Sequence, residues 1–584
     1  RLPAPPHPLA APHSASHTSL RPRPSSPPSS RTVRLNESDP PLHFVSSASL
    51  PPSIHPSIPL SLPHTHIHVR MADILASTAP TAKRCKGPDG PLGGLPGALV
   101  RSMRDETLAW QAVGGVLIGA DAQLSPAPCS ITPYPWPRDL FEQALSLASP
   151  FNRIVDRVAR DIDWLHEATR TVIASDPFTG RLLALSEKVH AEGIAQPWQL
   201  GIYRSDYMLH QPTPADPPRL MQVELNTISA SFGSLSRKLS EMHAHLLGRW
   251  TAPAMSEREA KTLSEWSPHL AGAIVNPKQN LPANGCEEGV ARALAAAHKK
   301  YSEMNPSSMS TAVVMVVQPT ERNVIDQRGI EACLWVKHKV PMVRMSMAEV
   351  AAEAALEGDS RRLQFASRGF EASVVYFRAG YTPNDYPTEQ EWKGRETLER
   401  SLAIKCPSIG QHLAGTKKVQ QLLANPETLD RFANADDAAS VRTCFAGLHG
   451  LDAGGGATVA NAVAQAIAQP SHYVLKPQRE GGGNNLFDDD MATALRTMSE
   501  EERSAYILME RIVPPTFPCL LMKEGEVAAG LCAAELGVYG FFLGNGTTTE
   551  LNFGAGHLLR AKMADVNEGG VVAGFAALSS PALF

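Results

Sequence analysis

The run Lys476-Pro-Gln-Arg-Glu-Gly-Gly-Gly-Asn-Asn485 decides how this chain is read. It follows Tyr473-Val-Leu475, which is apolar and strand-like. Lys476 is a point cation able to reach phosphate, and Glu480 is a hard oxygen donor suited to Mg²⁺. Gly481, Gly482 and Gly483 form a side-chain-free loop whose N–H groups can close around an anion. A cation, a metal-binding carboxylate and a glycine loop at the end of one strand point to nucleoside triphosphate chemistry. The alternative is a tight surface turn with solvated charges, which most glycine triplets are.

Two further clusters have matching chemistry. Glu224 and Asn226 follow the strand-like Leu220-Met-Gln-Val and lie two apart, so on a strand they share a face. With Glu480 they supply three oxygen ligands, and phosphate and water complete a Mg²⁺ shell. Ser229 and Ser231 are expected to continue that face toward a polar substrate; a strand with one polar side is the plainer reading. Ala414-Gly-Thr-Lys-Lys-Val419 with Gly410 nearly spells a phosphate loop. Thr416 separates Gly415 from Lys417, and the Lys-Ser/Thr order is absent, so that motif is rejected. Lys417 remains a second phosphate cation. Near the C-terminus, Arg560-Ala-Lys562 leads to another acid and glycine loop, Asn567-Glu-Gly-Gly-Val571.

The chain has 584 residues, 43% hydrophobic and 19% charged, which suits a globular protein of two or three domains. A net charge of −4 without basic blocks gives no case for nucleic acid. No run of about 18 apolar residues predicts a membrane span. Cys85, Cys129, Cys286, Cys333, Cys406, Cys444, Cys519 and Cys532 are scattered without zinc spacing, which fits a reducing compartment such as the cytoplasm. Residues 1–70 hold about a third of the 49 prolines, no Lys, and only Glu37 and Asp39 as acids. They read as disordered. Either they are a leader ahead of a start at Met71, the favoured reading, or a transit peptide to a plastid or other organelle.

Elsewhere, helical spacing over 138–174 predicts two helices broken near Pro150, and a further helix is expected over 291–304. Val313–Val317, Val374–Phe377, Tyr473–Leu475, Tyr506–Met509 and Val538–Leu543 read as strands, and Asn545-Gly546 signals a hairpin. Helices and strands mix throughout, so the class is α/β or α+β.

Two cations, separated acids and glycine loops without a phosphate loop resemble the ATP-grasp ligases. More closely, LNTISASFG, ERNVIDQR, VVYFRAGY, LAGTKKVQQ, VLKPQREGGGNN, YILMERI and HLLRAK, in this order from about residue 90 to the end, resemble the eukaryotic glutathione synthetase family. The resemblance implies an ATP-grasp fold with an inserted α/β substrate-binding domain and mobile glycine-rich lids. The parts would be 90–310 as the N-terminal body, 311–414 as the substrate domain and 415–584 as the C-terminal ATP-grasp part. It implies ATP-dependent joining of γ-glutamylcysteine to glycine, with one or two Mg²⁺ ions, in a homodimer.

Residue by residue, the resemblance gives Arg204, Lys476, Arg560, Gly481 and Gly482 as the catalytic set. Lys417, Lys476, Glu480, Asn485, Phe487, Met509, Glu510, Ile512, Glu535, Lys562 and Glu568 look like nucleotide contacts. Arg204, Ser229, Ser231, Glu321, Asn323, Gln327, Arg378, Tyr381, Arg560, Val571 and Val572 resemble the substrate set, and Glu224, Asn226 and Glu480 the metal ligands. The chain departs from the family at Phe487 for Tyr, Val572 for Ala and Glu568 for Asp, and Gly530–Asn552 matches poorly. Two alternatives remain: a homologue using β-alanine or serine as acceptor, and an inactive regulatory paralogue.

Overall fold

The apolar run Val538–Leu543 belongs to a far longer strand than its short length suggests. In the computed structural model it lies within Glu526–Gly544, a strand of 19 residues. The structure describes residues 93–584 apart from 121–122, 174–175, 251–254, 479–483, 568–569, 572–573 and 575.

Glu526–Gly544 pairs antiparallel with Thr549–Met563 on one side and Gln199–His210 on the other. Gln199–His210 pairs in turn with Arg219–Asn226. The hairpin expected at Asn545-Gly546 is present: Asn545 Oδ1 accepts from the N–H of Thr547 and Thr548, and Gly546 takes φ +90°. These strands form the middle of a sheet with 13 strands among the described residues. Beyond Gln199 the sheet turns parallel through Ile404–Cys406, Phe370–Phe377, Ser310–Val317 and Met342–Ser346.

Side-chain alternation divides the apolar residues between two cores, one on each face. Tyr203, Tyr207, Leu209, Cys532, Ala534, Leu536, Val538, Leu559 and Ala561 join one core. Leu200, Ile202, Tyr539, Phe541, Leu543 and Leu558 join the other. Two bulges adjust this phase. One lies between Asp206/Glu224 and Tyr207/Gln222 and leaves Val223 extra on its strand. The second inserts a residue opposite Val538–Gly540, around Gly556. Gly556 has φ +76°, and a Cβ there would stand 2.3 Å from the Cys286 backbone nitrogen. Only glycine meets both demands. Past these bulges, Glu224, Asn226, Arg560 and Lys562 share a face with Arg204, Asp206 and Glu535.

A separate small antiparallel sheet runs Leu448–Gly450, Tyr506–Glu510, Tyr473–Pro477, Leu486–Phe487. Helices Gly456–Ala468 and Asp488–Thr497 accompany it, and its own core includes Leu451, Val463, Leu475, Met491 and Leu508.

The region 138–174 corrects the expected pair of helices. There are three, Arg138–Ser146, Ala148–Arg160 and Ile162–Arg170. Pro150 does not break a helix; it sits in the first turn of the second, where its missing N–H has no intrahelical partner to lose. The breaks fall at Leu147 and at Asp161, whose side chain caps Trp164 N. The helix expected over 291–304 begins earlier, at Cys286, with Glu287 and Glu288 in its first turn. Among the described residues, no helix is long and apolar enough to cross a membrane.

His243 ties helix Gly233–Arg249 to the C-terminal strands. It is buried, with Nδ1 2.7 Å from Ser580 Oγ and Nε2 3.0 Å from Ser130 O. Burial pushes its pKa down to about 4, and that of buried His557 to about 3. The unfolded chain therefore binds protons that the folded chain refuses as pH falls below about 6.5. Stability should drop between pH 6.5 and 5 by up to about 1.4 kcal/mol per pH unit for each such histidine. Denaturant unfolding at pH 7, 6 and 5 checks this, and His243→Gln should flatten the slope; equal slopes would contradict it.

Candidate active site

The ladder gathers polar and charged residues on one face. Asp206 lies opposite Glu224 on one neighbouring strand and Gly537 on the other. Arg204 lies opposite Asn226, Glu535 opposite Arg560, and Ala533 opposite Lys562. Side-chain contacts run both along and across these strands. Arg204 forks onto Asp206 through Nε at 2.6 Å and Nη2 at 2.8 Å. Asn226 Nδ2 donates to Asp206 at 3.0 Å and to Glu224 Oε1 at 3.2 Å. Arg560 Nη2 donates to Asp206 at 3.0 Å and also to Glu535.

Two lysines reach the same place from other elements. Lys417 opens helix Lys417–Leu423, and its Nζ pairs with Glu224 Oε2 at 2.9 Å. Gln420 of that helix accepts from Leu225 N at 2.9 Å, which fixes helix against strand. Lys476 comes from the small sheet and donates to the Val223 carbonyl at 2.9 Å, on the residue that the bulge leaves extra. A cleft results between the small sheet and the ladder. Glu224, Lys417, Lys476, Asn485, Phe487, Met509, Glu510, Ile512, Glu535, Arg560 and Lys562 all line it. Its small-sheet wall is apolar through Val474, Met509 and Phe487, which the register places side by side.

Burial alone would raise the Glu224 carboxyl, but the ammonium groups of Lys417 and Lys476 overcome this and hold it well below the usual range. Burial raises Glu535, against the opposing pull of Arg560. Burial would lower the Arg204 guanidinium, but the Asp206 carboxylate outweighs it and keeps Arg204 above its ordinary value. Glu224 and Arg204 are thus held toward their charged forms in a protected setting.

A second group of expected residues gathers beside the Arg204 end. Asn226 ends its strand, so Ser229 and Ser231 do not continue its face as expected. Ser229 instead turns with φ +52° and donates to the Arg378 carbonyl at 2.8 Å. The Ser231 carbonyl accepts from Tyr539, which lies opposite Arg204. Glu321 accepts from Asn323 N at 2.6 Å and from the Gln327 side chain. Tyr381 N donates to Asp385 at 3.1 Å. Buried Arg378 donates to Asp326 at 3.0 Å, yet its Nε and Nη1, and the Asn323 Oδ1, find no hydrogen-bond partner among the described residues. Such groups are costly unless a ligand completes them. Val571 turns away into the apolar core, while neighbouring Gly570 lines the cleft. Glu480, Gly481, Gly482, Glu568 and Val572 lie outside the described residues.

Sequence reasoning missed Asp206, Met208 and Arg511, and gave Asn567 no role of its own. The spacing Arg204-Ser-Asp206-Tyr-Met208 is a period-two signal that could have found the first two. Arg511 pairs with Asp488 at 2.7 Å and donates to Asn567 at 3.0 Å, and Arg511 and Asn567 line the cleft. No sequence pattern announces that contact.

Oxygen donors in the described part fit a hard divalent cation only partly. Glu224 and the Asn226 amide oxygen are suitable, but no group of three His, Cys, Asp or Glu side chains among the described residues could hold a metal.

A lysine-lined cleft between a small antiparallel sheet and a long mixed sheet is the arrangement of an ATP-grasp enzyme. The family described as eukaryotic glutathione synthase, ATP binding domain, matches residues 98–583. Glutathione synthetase from Dictyostelium discoideum is 40% identical over 461 residues, covering 78% of this chain and 91% of that protein. Chloroplastic glutathione synthetase from Solanum lycopersicum is 39% identical, covering 82% and 84%, and the Homo sapiens enzyme 38%, covering 82% and 96%. A solved glutathione synthetase-like effector from Globodera pallida, in its apo form, superimposes with TM-score 0.64 at 20% identity, over 83% of this chain and 97% of that one; it speaks for the fold alone. The chain belongs to the eukaryotic glutathione synthase family.

If a triphosphate meets Lys417 and Lys476 in this cleft, the Glu224 charge beside them would oppose metal-free nucleotide. Glu224→Gln should tighten binding of ATP in the presence of a chelator by about tenfold, the effect of roughly 1.4 kcal/mol of relieved repulsion. It should also abolish the gain in affinity on adding Mg²⁺. Calorimetric titration with and without chelator checks both; unchanged metal-free affinity would place the phosphates away from Glu224.

Proposed function

We propose that this protein joins γ-glutamylcysteine to glycine, using ATP and releasing ADP and phosphate through an acyl phosphate. Family membership carries the glutathione synthesis itself. The finer reading is supported chiefly by one observation: Lys417, Lys476 and Arg560 converge on one cleft whose neighbouring guanidinium, Arg204, is held by the same buried carboxylate as Arg560.

A carboxylate is a poor electrophile, and its oxygen a poor leaving group. Phosphorylation by ATP corrects both, after which the glycine amine attacks and phosphate departs. The phosphoryl group passes between two anions, so positioning and charge neutralisation are the work required. Lys417 and Lys476 suit the phosphates as point cations. Arg204 and Arg560, with planar two-point donors, suit the acceptor carboxylate and the transferring group. The incompletely bonded Arg378, with Ser229, Ser231, Glu321, Asn323, Gln327 and Tyr381 around it, suits the charged ends of γ-glutamylcysteine. Val474, Met509, Ile512 and Phe487 offer an apolar wall to the adenine.

Mg²⁺, when bound, would neutralise phosphate charge, held by Glu224 and Asn226 together with Glu480. Glycine as acceptor, a homodimer and a cytoplasmic location complete the proposal on the strength of the family. Chloroplastic relatives in Solanum lycopersicum and Arabidopsis thaliana support a plastid address as the second reading for residues 1–70.

Purified protein given γ-glutamylcysteine, ATP and Mg²⁺ should release ADP fastest with glycine. A higher kcat/KM with serine or β-alanine would overturn the acceptor. Lys476→Met should lower kcat about 100-fold or more, near 3 kcal/mol of lost transition-state stabilisation. A change confined to the KM for ATP would mean that Lys476 only binds.

A further inference from the structure

Asp206 adds nothing to the cleft surface, because its side chain is wholly buried. Even so, it touches three of the residues given ligand-binding roles above. Oδ1 accepts from Arg204 Nε at 2.6 Å. Oδ2 accepts from Arg204 Nη2 at 2.8 Å, Asn226 Nδ2 at 3.0 Å and Arg560 Nη2 at 3.0 Å. We propose that Asp206 is a positioning residue for the ligation: one buried carboxylate aligns Arg204, Asn226 and Arg560, so that substrate, metal and transferring phosphoryl meet in one geometry.

Charge balance alone does not require this arrangement. Glu535 already gives Arg560 an anionic partner. What Asp206 adds is direction. Its two-point contact fixes the plane of the Arg204 guanidinium, and its second oxygen shares the Arg560 Nη2 with Glu535, so that nitrogen is held by two carboxyl groups at once. The strand opposite is kept clear for it. A Cβ on Gly537 would lie 2.6 Å from Asp206 Oδ1 and 2.7 Å from Arg204 Cδ, so any side chain there would push the pair aside. The bulge one step along turns Glu224 and Asn226 toward the same carboxylate. These three features are independent, and each serves the placement of one group.

The inference rests on the ligase reading, and wild-type turnover reports on that reading separately. The test compares steady-state kinetics of full-length wild type with three variants. Asp206→Glu keeps the charge but moves it by one methylene. Gly537→Ala keeps every charge and displaces the pair. Asp206→Asn keeps the shape and removes the charge. Asp206→Glu and Gly537→Ala should each lower kcat about tenfold or more and raise the KM for γ-glutamylcysteine severalfold. The KM for ATP should rise less than that for γ-glutamylcysteine, because Lys417, Lys476 and the small sheet make no contact with Asp206, and only Asn226 and Arg560 link it to the metal nucleotide. Asp206→Asn should lose more.

Wild-type kcat and KM in both Asp206→Glu and Gly537→Ala would overturn the proposal and leave Asp206 a neutralising charge. So would a loss of activity that matches a loss of folded protein in thermal melts, with both KM values unchanged. Should Asp206→Asn prove insoluble, the two charge-preserving variants decide. An inactive wild type would overturn the ligase reading and this inference together; a failure of Asp206 alone leaves wild-type turnover intact.

Discussion

Opposite charges placed against one another on one buried face of the antiparallel ladder are the constraint on which the site depends. Arg204, Asp206 and Lys417 are all buried, and a buried charge persists only when paired and hydrogen-bonded. The fold supplies the partners: Asp206 for Arg204 on the same strand, Glu535 across the register and Asp206 beyond it for Arg560, and Glu224 for Lys417 of the neighbouring helix. Removing one member of such a pair costs about 3–5 kcal/mol, because the survivor stays buried and unmatched. The network is therefore an expensive way to stabilise a sheet, and an apolar strand face would do so at less cost. Its retention makes sense as preorganisation for a reaction in which charge moves between anions.

Under the proposed reading, the same face would favour a metal nucleotide over bare ATP. Glu224 pairs with Lys417 and lies near Lys476, so if these lysines take the phosphates, as proposed, a cation would be needed to offset its charge. Lys476 enters from the small sheet, whereas Glu224, Glu535 and Arg560 belong to the ladder. Any movement of the small sheet relative to the ladder changes the distance between the phosphate cation and the acceptor side. The bulge at Val223 joins the two, for the carbonyl it leaves extra on its strand is the one that Lys476 grips.

Much of this was legible in the chain, and the illegible part has physical reasons. Lys476 and Lys417 could be picked out because a cation beside glycine is a local pattern. The strand from Tyr473 was equally local, and runs on to Pro477. Glu224 and Asn226 were correctly expected to share a face, since their spacing is a backbone property; Ser229 failed because a positive φ ends the pleat, which no residue type there signals. Asp206 escaped notice for another reason. Its role depends on two neighbouring strands, one nearer and one over 300 residues away in sequence, and on two bulges that decide which side chains turn toward it. Pairings of that range are set by the whole sheet. The assignments of individual ligand-binding residues came from the family resemblance and could not have come from spacing.

The central claim is that this face carries phosphoryl transfer from ATP to a substrate carboxylate. The most direct test is the fate of oxygen in that carboxylate. γ-Glutamylcysteine labelled with ¹⁸O in its cysteinyl carboxylate is incubated with the enzyme, ATP, Mg²⁺ and glycine, and the released phosphate is examined by mass spectrometry. The account predicts one ¹⁸O atom in each phosphate formed from fully labelled substrate. Phosphate free of ¹⁸O, with ligation proceeding, would contradict it.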